Sequence, residues 1–157
     1  MRLSWKDAIV NFSHLDNNSL TECWTWLVGA SMTPILISII GDMFLTNNEG
    51  QVYWLNVSEG KLELVAQNRQ EFNNKLENEV VADEWFLFDL IHYFKQSGIE
   101  LKEGKLYGYK QYPILGGDFV PENFEQTDIK VHFALAGQVY EQVRNLPEGT
   151  PVKLSIK

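Results

Sequence analysis

Residues 41–66, GDMFLTNNEGQVYWLNVSEGKLELVA, decide the architecture. Residues 42–46, 51–56 and 61–66 are short runs of strand-like composition, separated by the turn-forming groups Asn47-Asn48-Glu49-Gly50 and Ser58-Glu59-Gly60. Connections this short permit only antiparallel neighbours, so the stretch predicts a three-stranded meander. Alternation sends Val52 and Trp54 to one face and Tyr53 and Leu55 to the other. The middle strand is apolar on both faces, which requires helices or further strands packing on both sides.

Downstream, Asn68 and Glu71 have N-x-x-E capping spacing for a helix that carries Phe72 and Leu76. After a polar break at Asn78-Glu79, residues 83–97 predict a stronger helix with Asp83 and Glu84 at its positive end. Phe86, Leu90 and Phe94 recur every four residues, Leu87 and Ile91 widen the stripe, and Gly98 stops it. This helix is the expected main packing partner of the sheet. Residues 105–109 predict a strand, 111–123 an irregular loop containing Gly116-Gly117, and 128–146 a helix striped by Val131, Leu135, Val139 and Val143 despite Gly137. A last strand is expected over 151–156.

Upstream, Ser4 and Asp7 frame a short helix reaching about Phe12. Ser19 and Glu22 form an S-x-x-E box for a second helix, striped by Leu20, Cys23, Trp24 and Leu27 and ending near Gly29. Thr33-Pro34 resembles an N-cap followed by proline, which favours one or two buried helical turns through ILISII; the β-branched content equally suits a buried strand. Helix is the preferred reading. Together the segments predict an α+β fold, a central antiparallel β-meander packed by helices, in a single domain over 1–157.

The 157 residues suffice to bury roughly 70% of the unfolded-state surface. Apolar and aromatic contents of 45% and 13% argue against disorder. The single cysteine, Cys23, excludes an internal disulfide framework and fits a reducing cytoplasm. Residues 1–10 lack the apolar core of a signal peptide, and the apolar stretch 26–40 is interrupted and short of the ~20 residues a bilayer span needs. The net charge of −8 is concentrated: between Asp42 and Asp89 ten acidic residues face only Lys61, Arg69 and Lys75. Such a surface repels phosphate backbones, which disfavours nucleic acid, and attracts a basic protein.

Further residues resemble a known family. The Gly41-Asp42 start, Gly50 before Val52-Tyr53-Trp54-Leu55, Gly60 with Leu62, and Val65-Ala66 leading to Glu71-Phe72 form a first motif. Gly108-Tyr109-Lys110, Pro113 and Leu115-Gly116-Gly117 form a second; Asn123, His132, Gly137-Gln138, Gln142 and Leu146-Pro147 with Gly149 form a third. The set resembles a bacterial family long carried as a domain of unknown function, which includes the C-terminal domains of immunity proteins that neutralise type VI secretion DNase toxins. It is more distantly similar to immunity domains related to yeast cell-wall-assembly regulators. The resemblance covers about residues 30–152 and implies an immunity-type domain over 31–152, with 1–30 as a helical extension too short for the GAD-like domain that often precedes it.

No catalytic, cofactor or metal site is expected. Asp89 and His92, at i, i+3, lack further ligands at recognisable spacing, as do Asp128 and His132; in the family pattern His132 reads as a structural hydrogen-bonding residue. Cys23 on its apolar stripe reads as core. The tryptophans read mostly as core, with Trp26 a partial exception. The expected partner-contact residues are Glu49, Glu59, Glu63, Glu77, Glu79 and Asp118, with Tyr107, Tyr109 and Tyr112 as aromatic anchors near the irregular loop or, alternatively, packed over the sheet edge. The expected function is that of a non-catalytic cytoplasmic immunity protein that neutralises a cognate secreted toxin, a basic protein such as a type VI DNase effector. The alternative is a small-molecule or peptide-binding regulatory domain.

Overall fold

The computed structural model describes residues 3–157; the first two residues of the expected 1–30 extension lie outside them. Four strands, β1 (Thr33–Ile37), β2 (Met43–Thr46), β3 (Val52–Asn56) and β4 (Lys61–Ala66), pair antiparallel in chain order. The last three are the expected meander. Its first turn is tied by Asn47, whose Oδ1 accepts from Glu49 N at 3.1 Å and Gln51 N at 2.9 Å.

β1 corrects the preferred helical reading of ILISII. Thr33-Pro34 opens a strand whose register runs from Thr33↔Thr46 to Ile37↔Met43, with a shift between Pro34 and Leu36. Proline is tolerated because β1 is the sheet's outermost strand. The chain before it shields part of that edge: Val10 N donates to Ile37 O and Ile39 N to Ala8 O.

Around the sheet lie α1 (Asn17–Thr21), α2 (Thr25–Val28), α3 (Arg69–Leu76), α4 (Glu79–Phe86), α5 (Phe88–Gln96) and α6 (Ile129–Val143). The expected cap at Ser19 is displaced: Asp16 is the N-cap of α1, and a 3-10 turn over Glu22–Trp24 joins α1 to α2. Gly29, at φ 80°, closes α2 as expected. Asn68 caps α3, also as expected, accepting from Glu71 N at 2.9 Å. The single helix expected over 83–97 is two. Asn78 starts α4 early by accepting from Val80 N and Val81 N, and Leu87 breaks the run with a left-handed backbone (φ 53°, ψ 66°). Asp83 Oδ1 accepts from Phe88 N at 3.1 Å across that break.

A second sheet pairs β5 (Lys105–Tyr109) with β6 (Phe124–Asp128), a strand the sequence pattern did not announce. Tyr107 N donates to Ile39 O at 2.7 Å and joins the two sheets. No regular strand forms over 151–156. The tail instead runs along α6, where Gln142 exchanges two hydrogen bonds with Ser155 and Gln138 Oε1 accepts from Lys157 N.

Two packing centres result. On one sheet face Phe44 meets Phe72, Trp85 and Phe86 at ring distances of 5.0–6.0 Å, so α3 and α4 supply the cover there. The rest of the expected main helix, α5, packs on the second sheet through Phe94, stacked at 3.9 Å on Tyr107. The other centre is α6, which buries Ile129, His132, Phe133, Ala136, Val139, Tyr140 and Val143; of the expected stripe Val139 and Val143 point inward, Leu135 is half-buried and Val131 is 46% exposed. Gly137 has a packing reason: a Cβ there would run into the Cys23 backbone carbonyl. Cys23 itself is only half-buried, which corrects its placement in the core. No helix among the described residues is long and apolar enough to cross a membrane.

Candidate partner-binding face

Gly41 and Asp42 stand at the entrance to β2. Gly41, at φ 94°, offers its carbonyl to His132 Nε2 at 2.8 Å. A carbonyl only accepts, so Nε2 carries the proton. Burial pulls the imidazole down to about 4, opposed by that hydrogen bond, so the ring is neutral near neutral pH. A Cβ at Gly41 would collide with the ring. His132 is thus the structural hydrogen-bonding residue expected of it.

Asp42 is buried, and its carboxylate is held from two sides: Oδ1 accepts from Val57 N at 3.0 Å and Oδ2 from the Trp54 indole at 3.2 Å. Burial outweighs both hydrogen bonds and pushes the carboxyl up to about 7. Over it lies a cleft of about 300 Å³ walled by Trp54, Trp85, Tyr109 and Phe119, with Glu59, Glu63 and Glu84 at its exposed margin. Register explains the grouping. Phe44 pairs with Trp54 and Trp54 with Glu63, so one row across the sheet passes from core aromatic to surface carboxylate. Glu59 lies 3.7 Å from Lys61, an exposed ion pair.

Two wider clefts adjoin. One, of about 410 Å³, shares Leu87 and Phe119 with the first and adds Asp83, Asp89, Leu90, Tyr93 and Pro121. The other, of about 470 Å³, shares Asp83 and Asp89 and adds Leu3, Glu79, Val80, Phe88 and His92. Asp89 and His92 both line it, but among the described residues no group of three or more His, Cys, Asp or Glu is placed to hold a metal.

The nine residues expected to contact a partner do not form one patch. Glu59, Glu63 and Tyr109 line the cleft over Asp42, and Glu79 the cleft of about 470 Å³. Glu49 lies in the β2–β3 turn, Glu77 accepts from the Trp5 indole, and Asp118 is exposed with its carbonyl accepting from Asn123. Tyr107 and Tyr109 are buried, and Tyr112 is half-buried between Tyr109 and Tyr140. Desolvation raises all three phenols. The cleft over Asp42 also takes in Trp54, Glu84, Trp85 and Phe119, none of which the sequence singles out individually for contact. Asp42 and Glu84 stood in the acidic run, but nothing in that run distinguishes a carboxylate beside indoles from one in bulk solvent.

Residues 66–140 match the family model described as T6SS immunity protein Tdi1, C-terminal. The match bears out the resemblance, and its span begins at the end of β4 and takes in α3–α5, the second sheet and most of α6. No curated protein matches the chain.

Proposed function

With an immunity-protein domain recognised over residues 66–140, we propose that the protein is a non-catalytic cytoplasmic immunity protein that binds and neutralises a cognate toxin. One observation carries the reading: the helices inside the family match, α4 and α5, bear acid-rimmed aromatic clefts suited to a basic protein surface. A nuclease must be basic where it holds its substrate, so an acidic inhibitor gains electrostatic steering and competes with phosphate there. Such inhibition requires no chemistry of its own. A small cationic or peptide ligand is the second reading, favoured by the compact cleft over Asp42.

The test is to express the C-terminal domain of each protein encoded beside this one in a bacterium, with and without this chain. Rescue from one toxic neighbour, with a purified complex that weakens as salt rises, is the expected result. Failure of rescue by folded, abundant protein would move the ligand-binding reading to first place.

A further inference from the structure

We propose that the docking surface for a basic protein partner is the corner where α4 meets α5 together with the loop around Phe119, and that an arginine or lysine of the partner enters the cleft over Asp42 that Phe119, Glu63 and Glu84 border. The class of partner rests on the immunity reading; the location rests on the following geometry.

The three clefts are continuous, because each shares two residues with the next. Large apolar side chains stand uncovered there, with Val80 80%, Tyr93 53% and Phe119 48% exposed. The other rings nearby, Phe44, Phe72, Trp85 and Phe86, are buried, so the exposed ones are a departure from how this chain treats its aromatics. Carboxylates border every cleft, and no described lysine or arginine lines any of them. Acidity alone does not single out this place. Glu71 is paired with Lys75 at 3.4 Å as Glu59 is with Lys61 at 3.7 Å, so Glu63 and Glu84 are the cleft carboxylates that matter, and Glu49 lies on a turn tip outside the clefts. Carboxylates, exposed apolar area and concavity also coincide in the cleft lined by Tyr93, Ile99, Glu122 and Glu125. The corner gathers more acid, with Glu63, Asp83, Glu84 and Asp89 around it, and so best suits a cationic anchor flanked by apolar contacts.

The experiment has two arms on the full chain. In the first, Nα-acetylarginine amide is titrated in, with the neutral Nα-acetylcitrulline amide as control, and the indole N–H signals are followed by NMR. The Trp54 and Trp85 signals should move with the arginine probe alone, while Trp5, Trp24 and Trp26 stay still. The movement should be lost in the double variant Glu63→Gln/Glu84→Gln, whose sites are exposed and leave the fold intact. No movement, equal movement of all five, or the same movement with citrulline would overturn the cleft. In the second arm, rescue from the toxic neighbour is compared among variants. Glu63→Gln/Glu84→Gln and Tyr93→Ser/Phe119→Ser should each weaken the complex at least ~10-fold, as loss of central anchors does. Glu103→Gln/Glu148→Gln, with the same change in net charge, should rescue as wild type does. Wild-type failure to rescue overturns the immunity reading. Wild-type rescue matched by the corner variants overturns the docking surface.

Discussion

The α6 end and the α4–α5 corner are both rich in aromatic and polar side chains, yet they use them in opposite ways. At α6 each polar tip is committed to a backbone carbonyl: His132 to Gly41, Trp24 to Phe133, Trp26 to Gly137 and Tyr140 to Ser58. At the corner the rings pack on one another, and the exposed carboxylates Glu63 and Glu84 face a cleft. Buried donors with fixed acceptors specify one arrangement of the chain, because leaving either partner unmet costs a desolvation penalty. Exposed acids beside uncovered rings specify little about the fold, and the proposed docking surface draws on them. The difference separates residues that define the structure from residues that are available to a partner.

The sharpest way to break the contrast is Gly41→Ala, which combines a left-handed backbone with a collision against a buried ring. It should cost about 3 kcal/mol in urea unfolding. Trp24→Phe removes the indole donor to the Phe133 carbonyl and leaves a void where the larger ring is buried, and a loss of about 2 kcal/mol is expected by the same measurement. Tyr140→Phe removes one donor to Ser58 and should cost about 1 kcal/mol.

The buried titrating groups sharpen the contrast by pH. Asp42 binds its proton more tightly folded than unfolded, so its contribution is fully present below about 3.8 and is lost as pH rises through about 7. His132 has the opposite sign: its contribution is present above about 6.5 and is lost as pH falls through about 4. Asp42→Asn should therefore gain on wild type as pH rises from 4 to 7, by about 1 kcal/mol per pH unit in unfolding free energy. A pH-independent difference between the two proteins would refute the buried state of that carboxyl. The smallest effect belongs to Glu63→Gln/Glu84→Gln, which should change stability by less than about 0.5 kcal/mol while weakening a partner complex.

Where local chemistry and long-range packing agreed, the chain could be read in advance. The Lys61–Ala66 strand, the Lys105–Tyr109 strand and the Asn68 cap lie where turn and cap residues put them. The 33–37 segment was misread because the proline rule for helix starts and the edge-strand tolerance for proline are both satisfied by Thr33-Pro34. Only pairing with β2 decides between them. The 83–97 helix was joined across Leu87 because no glycine or proline marks a break there. β6, FEQTD, carries too little alternation to stand out and exists through its register with β5. The site was harder still. Asp42 becomes a buried group only once the Trp54 indole and Val57 amide close on it from across the meander.

The left-handed backbone at Leu87 has a consequence for how such a surface changes over time. Because that residue turns the chain between α4 and α5, the spacing of Glu84 on one side from Asp89 and Tyr93 on the other is set by a pair of torsion angles. A lineage adapting to an altered partner has two independent dials. Exchanging individual carboxylates changes the charge it presents, and straightening or deepening this bend re-aims Asp89 and Tyr93 relative to Glu84.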